Sequence, residues 1–586
     1  MIDHASGRPW LMGEWADHEV AFGRAGAARA VLIGRHTADG QEVSRRLAEA
    51  GGDPGRVERL AAGVAGSFHL VTSVDGRVRV RGTASGNRRV FRARLAGVAV
   101  AADRAGVLAS ATQADVDDEA VALRMAMPLV NYPLEEQGMW RGVSGVRPDD
   151  CLILESDGTD RTARWWTPPE PAASLAEGAP LVGAALAAAV GACTAGGGTV
   201  SADLSGGLDS TSLCFLAARG PARLVTYTWQ SMDPANDDEV WARRAARALS
   251  PSEQVSLGCD EVPAWFDGVC DTAGWATEEP GGWVRDRARL VDGLTRMAAR
   301  GSRLHLCGGG GDELFTPVPS FLHDLVRSRP GAALGVVRRR RTFRRQPLWP
   351  LLRALGDRTP FAAELAASAQ CLTRAAPGPG TPQRGWEAAL RMPPWATPAA
   401  VETVASRLRE AAAHAPTALS PYRSLHQVLQ YLRYGGNAMR QMDQMTTDRL
   451  GIGYATPFHD DAVIEAALSV RLDERMVLTG YKPLLTEAMR GTVPAELLAR
   501  TTKGEAGVDF YGAIRRHRGE LLELFDTPAL ADAGLIDAGR LRAALRGYPD
   551  DTLHTQLLPT LGCEMWLRAQ HDRKALPLTV AAGGPR

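Results

Sequence analysis

Residues 205 to 210 read Ser205-Gly206-Gly207-Leu208-Asp209-Ser210, between an apolar alternation and a helical pattern. Gly206 and Gly207 let the backbone approach a ligand closely, while Ser205, Ser210 and the first amides of the following helix point donors at an anion, which describes a phosphate cradle. It differs from the phosphate loop that ends in Gly-Lys-Ser/Thr, because no lysine lies between Ser201 and Arg219. A carboxylate such as Asp209 repels phosphate unless a cation lies between them, so magnesium is implied. The plainer reading is a strand-to-helix turn in which Asp or Ser caps the helix. A second glycine run, residues 308–311, precedes Asp312 in "LCGGGGDELF".

Elements must bring these turns together. Apolar strands at 199–204, 223–229, 253–257 and 303–307 alternate with helical patterns at 181–193, 237–249 and about 283–299. That order predicts an α/β fold with a doubly wound parallel sheet, whose ligands sit beyond the carboxyl ends of the strands. Both glycine turns fall there. Residues 1–165 carry short Val, Leu and Arg alternations with an Asp75-Gly76 hairpin signal, which predicts an antiparallel β-rich domain. A proline-dense linker is expected at 166–178, a synthetic domain at 179–575 with a helical C-terminal part, and a flexible tail at 576–586.

Lys plus Arg and Asp plus Glu both total 67 in 586 residues, so nothing favours nucleic acid as a partner. The eight cysteines have no C-x-x-C pair and read as reduced, buried thiols of a cytoplasmic protein. The run "LVGAALAAAV", 181–190, is too short to span a bilayer, and no membrane anchor is expected.

The first turn resembles the S-G-G-x-D-S loop of ATP pyrophosphatases, and three further segments resemble the asparagine synthetase superfamily in that family's order. These are "LCGGGGDELF" (306–315), "QMDQMTTDRLGIGYATPFHDDAVIEAAL" (441–468) and "YKPLLTEAMRGTVPAELLARTTKG" (481–504). The resemblance implies ATP and Mg2+, an acyl-adenylate and release of pyrophosphate. It implies Ser205, Gly206, Gly207, Asp209, Ser210, Gly308 and Gly310 at the nucleotide, and Asp209 and Asp312 on the metal. Lys503 falls at the family's lysine that contacts the phosphates and the developing oxyanion. Lys482 is either a further phosphate contact or a surface lysine at a helix start. Asp443 is either a carboxylate that replaces a missing base or a salt-bridged one. The N-terminal part resembles, more faintly, the glutaminase domain of this superfamily, of the N-terminal-nucleophile type.

Two departures refine the expectation. The chain begins Met1-Ile2, without the N-terminal cysteine of a glutaminase, so that domain reads as degenerate. Gly309 replaces the family's glutamate, a proposed base, and would open space over the acyl-adenylate; a large cavity over 308–311 is expected. A peptide α-amine, with a pKa of about 7.7–8.0, needs little help from a base. The combination most resembles lasso peptide macrolactam synthetases. That resemblance implies a ribosomal precursor peptide as substrate, with a leader-binding protein and a leader peptidase as separate chains. A β-lactam-synthetase-like enzyme acting on a small amino acid derivative is the alternative. Glu278 and Glu279 read as a substrate loop or a solvated acidic turn, His459 as structural, and the six arginines of 336–349 as a solvated face or a docking surface.

Overall fold

Runs of β-branched and other apolar residues bounded by glycine turns build the central sheet of the second half. Strands Thr199–Asp203 (β1), Arg223–Trp229 (β2), Glu253–Leu257 (β3), Ser302–Leu306 (β4) and Gly453–Ala455 (β5) pair in parallel, in the order β3-β2-β1-β4-β5. Val200, Ala202, Leu224, Val225, Leu304 and Leu306 are all buried, as a sheet covered on both faces requires. The order reverses between β1 and β4, which is where ligands bind in such sheets. β5 lies inside a region expected to be mostly helical; three residues carry too short a pattern to read as a strand. This computed structural model describes every residue except 128–131, 250–251, 272–275, 344, 376, 379, 477–479, 503, 505–506, 548–550 and 576–586. The expected tail lies outside the described residues.

The N-terminal half is β-rich, as predicted. Six antiparallel strands pair in the spatial order 160–164, 150–154, 77–81, 66–74, 28–36, 20–25. Asp75 and Gly76, both at positive φ (51° and 76°), make the predicted hairpin turn. Three more strands, Phe91–Leu95, Val98–Ala102 and Ser144–Gly145, form a second sheet.

The segment expected to be a linker is tied down. Trp166 is buried and donates to Glu465 Oε1 at 2.9 Å. Ser174 and Glu177 form a capping box that starts helix Leu175–Thr194 well before residue 181. At 20 residues and a mean hydropathy of 1.5 the helix is long and apolar enough to cross a membrane, unlike the ten-residue run read from the sequence. Its Val182, Leu186, Ala189 and Val190 are buried, and the helix packs on Asp461–Leu468 and Pro483–Ala488. All eight cysteines are free thiols; Cys259 and Cys270 are exposed, so burial holds for only part of the set. Arg338, Arg339, Arg341 and Arg345 are exposed at helix Pro330–Phe343 and just beyond it.

The 28-residue helix Arg423–Leu450 is wedged between the two halves. Gly436 permits the contact: a Cβ there would lie 2.2 Å from the Ser85 carbonyl oxygen. Arg35 Nη2 meets Asp443 Oδ2 at 2.7 Å, with Arg88 at 3.5 Å. Arg433 reaches Glu135 at 2.5 Å and Asp149 at 3.0 Å. Asp460 and Asp461 accept the backbone amides of Gly66 and Ala84 at 2.6 and 2.8 Å. Removing one partner of a buried pair strands the other charge. Arg35→Ala is therefore expected to lower unfolding free energy by about 3 kcal/mol in denaturant titration, with Arg88 limiting the loss. An effect below about 0.5 kcal/mol would show that the seam does not rest on this pair.

Candidate active site

The first turn is self-supporting. Gly206 is at φ +78°, and a Cβ there would lie 2.5 Å from the Asp238 carbonyl oxygen and 2.7 Å from the Ala242 nitrogen, so glycine lets the turn lie flat on helix Asp238–Ala248. Ser205 and Ser210 hydroxyls meet at 2.9 Å, and the Ser205 amide donates to Ser210 Oγ at 3.2 Å. Helix Leu208–Ala217 starts at Gly207 with no side-chain cap, which leaves its first amides available to an anion.

The second turn lies directly against it. Gly310, at φ +94°, begins the short helix Gly311–Phe315 and leaves room for His459 and Phe458, each 3.0 Å from its absent Cβ. A Cβ on Gly308 would lie 3.1 Å from both Asp209 Cβ and the Ser210 nitrogen, and one on Gly311 only 2.4 Å from Asp209 Oδ1. Gly311 therefore belongs to the site, although sequence reasoning singled out only Gly308 and Gly310.

Lys482 binds both carboxylates. Its side chain is buried, and Nζ bonds Asp209 Oδ2 and, at 2.7 Å, Asp312 Oδ1. It is no surface lysine at a helix start. Burial alone would lower its pKa, but Asp209 and Asp312 outweigh burial and hold the ammonium above its usual value. Two oxygens that share one ammonium are within reach of one divalent ion, and carboxylate oxygens suit a hard cation such as magnesium. Among the described residues no cluster of three or more His, Cys, Asp or Glu side chains could hold a metal. An ion here would draw its remaining ligands from phosphate oxygens and water, a common arrangement for magnesium.

Lys503 lies outside the described residues. Its neighbours are anchored beside the first turn: Thr502 Oγ1 donates to Asp237 Oδ2 at 2.7 Å, and the Gly504 amide to Asp238 Oδ1 at 3.2 Å. Asp443 takes the second of its two readings, a salt-bridged carboxylate. Burial would raise its pKa, but Arg35 and Arg88 hold it below the usual carboxylate range, so it is a seam anchor and a poor base. Glu278 and Glu279 are buried, not a solvated turn; Arg124 Nε bonds Glu279 Oε2 at 2.9 Å, and Arg440 bonds Glu278. Gly309 does not face open space either, since a Cβ there would meet Met439 Sδ at 3.2 Å and Thr456 Cγ2 at 3.6 Å. The sequence reading passed over Glu313, although it lies within "GGGGDELF". Burial first, then Asp312 and Asp209, raises the pKa of its carboxyl group.

Lys482→Met is expected to lower ATP–pyrophosphate exchange on the order of 100-fold. Removing the competing ammonium should also tighten Mn2+ binding to the nucleotide-free protein, read by electron paramagnetic resonance; unchanged Mn2+ affinity would show that the two cations do not share the carboxylates. His459 is packed against Gly310 and Gly435, and burial pushes its pKa down to about 4. The fold favours its neutral form, so stability present above pH 6.5 is lost as pH falls from 6.5 towards 4, by on the order of 3 kcal/mol. His459→Leu should flatten that acid limb in denaturant titrations at stepped pH; an unchanged slope assigns it to other groups.

A family model described as asparagine synthase matches residues 181–568. A search of curated proteins finds no match. Among solved structures, glutamine phosphoribosylpyrophosphate amidotransferase from B. subtilis, complexed with ADP and GMP, aligns at 9% identity with a TM-score of 0.18. That alignment covers 52% of this chain and 66% of the other, just under two thirds, and a likeness at this level carries no argument. The family match spans well over half of the chain, from the helix before β1 to the last long helix. The chain belongs to the asparagine synthase family.

Proposed function

We propose that the enzyme is a lasso peptide macrolactam synthetase, joining an Asp or Glu side chain of a precursor peptide to that peptide's own α-amine. The observation that carries this reading is the pairing of two carboxylates, Asp209 and Asp312, on one cation position with a glycine at 309, where the family resemblance implies glutamate. The substrate carboxylate attacks the α-phosphorus of ATP; the bond to the β-phosphate oxygen breaks and pyrophosphate leaves. The α-amine then attacks the acyl carbon, loses a proton, and displaces AMP. Asp209 and Asp312 would hold magnesium, which when bound offsets phosphate charge. The turn amides and the Ser205 and Ser210 hydroxyls orient the phosphates, and Lys503 is assigned to the oxyanion. An amine that is partly free base at neutral pH does not require a glutamate at 309. The leader-binding protein and the leader peptidase are assigned to separate chains, and the location to the cytoplasm.

A second reading rests on Met439. Its thioether fills the space beside Gly309, which favours a smaller substrate and a β-lactam-synthetase-like reaction. A flexible thioether can swing aside for a peptide, so the substrate decides between the two.

The test is mass spectrometry of a leader-free precursor peptide incubated with the enzyme, ATP and magnesium. Loss of one water with AMP formed, and resistance to exopeptidase, is expected. Asp209→Asn should reduce that product on the order of 100-fold. Unchanged peptide mass, with pyrophosphate exchange supported by a small β-amino acid, would replace the macrolactam reading with the second one.

A further inference from the structure

We infer that a cavity at the seam between the two halves is a binding site for a single carboxylate group. The cavity measures about 50 Å3, and its lining includes Arg89, Arg124 and Arg433 from three separate segments, with Glu135, Glu279 and Tyr434. The three arginines are each 8% exposed or less, while Tyr434 is 38% exposed and marks the mouth.

The lining itself holds three guanidinium groups and two carboxylates. Glu279 receives Arg124 Nε at 2.9 Å and Arg89 Nη1 at 3.4 Å, and Glu135 receives Arg433 Nη1 at 2.5 Å. Arg124 Nη2 donates to the Gln137 carbonyl at 3.2 Å. Arg124 Nη1, Arg89 Nε and Arg433 Nε are buried without a hydrogen-bond partner. Behind the wall, Arg440 meets Glu278, and Asp149 is shared by Arg147 and, at 3.0 Å, by Arg433 Nη2, so the unmet capacity is that of the three unpartnered nitrogens and not of a whole guanidinium. Burial, the leading cause, holds the Arg89 pKa below its usual value, and Glu279 and Glu135 do not make up the difference. A buried, unmet charged donor is costly, so a ligand anion has a clear energetic role here.

Size and shape select the class. The volume fits a few atoms, not a nucleotide phosphate with its ester chain. The two oxygens of a carboxylate match the paired donors of a guanidinium edge. The site is separate from the ATP cradle. Arg433 and Asn437 project from one face of helix Arg423–Leu450, while Gly435 and Met439, on the opposite face, approach His459 and Gly309. The carboxylate comes either from a free small acid or from the end of a substrate peptide.

Thermal unfolding of the full chain tests this with two probes. Sodium formate, against sodium chloride at equal ionic strength, is expected to give a saturable upward shift of about 1–2 °C. A shift seen only with the linear precursor peptide as free acid, and not as its C-terminal amide, would assign the site to substrate. That arm rests on the proposed function, whereas the formate arm does not. Arg124→Gln removes a donor, and Asn437→Asp supplies a carboxylate from the wall itself; each is expected to abolish the response. No shift with either probe, an equal shift with chloride, or a response that survives in both variants overturns the inference.

Discussion

The candidate site depends on how closely two glycine turns approach each other. The Gly308 and Gly311 positions lie 3.1 Å and 2.4 Å from atoms of Asp209, counted from where a Cβ would be. Any side chain there would push Asp209 away from Asp312, and the cation position they share would be lost. The sheet order makes the approach possible. With β1 and β4 adjacent at the reversal, the turns that follow them are neighbours without any intervening strand.

That steric constraint creates an electrostatic one. Two carboxylates forced together repel unless a cation lies between them, and in this structure the Lys482 ammonium fills that role. The lysine backbone is held at φ +46°, a conformation that costs a non-glycine residue on the order of 1 kcal/mol or more. Its two ion pairs offset that strain. A residue of this kind has two tasks that pull apart, since it neutralises both carboxylates and, in the proposed reaction, would yield the same oxygens to a metal.

The sheet was legible because it is built from local patterns. Four strands appear within a residue or so of the apolar runs at 199, 223, 253 and 303, each ending in a polar or glycine turn. β5 was not, because Gly453–Ala455 is a strand only by virtue of its pairing with β4. The charged residues were the least legible. Asp443 is decided by Arg35, 408 positions away, and Glu279 by Arg124, 155 positions away. No local pattern distinguishes a carboxylate that will meet a buried guanidinium from one that will meet water. Lys482 was half legible: its register against the family motif was visible, but its burial between two aspartates was not.

The seam has a consequence for how such a chain can diversify. Its buried ions are matched across the halves, Arg35 to Asp443, Glu135 to Arg433 and Arg89 to Glu279, so neither side can drift alone without stranding a charge. A chimera that joins the first half of one relative to the second half of another therefore holds at this boundary only where the two carry matching charges. The β-rich half and the half that carries the two glycine turns are bound to change as one unit.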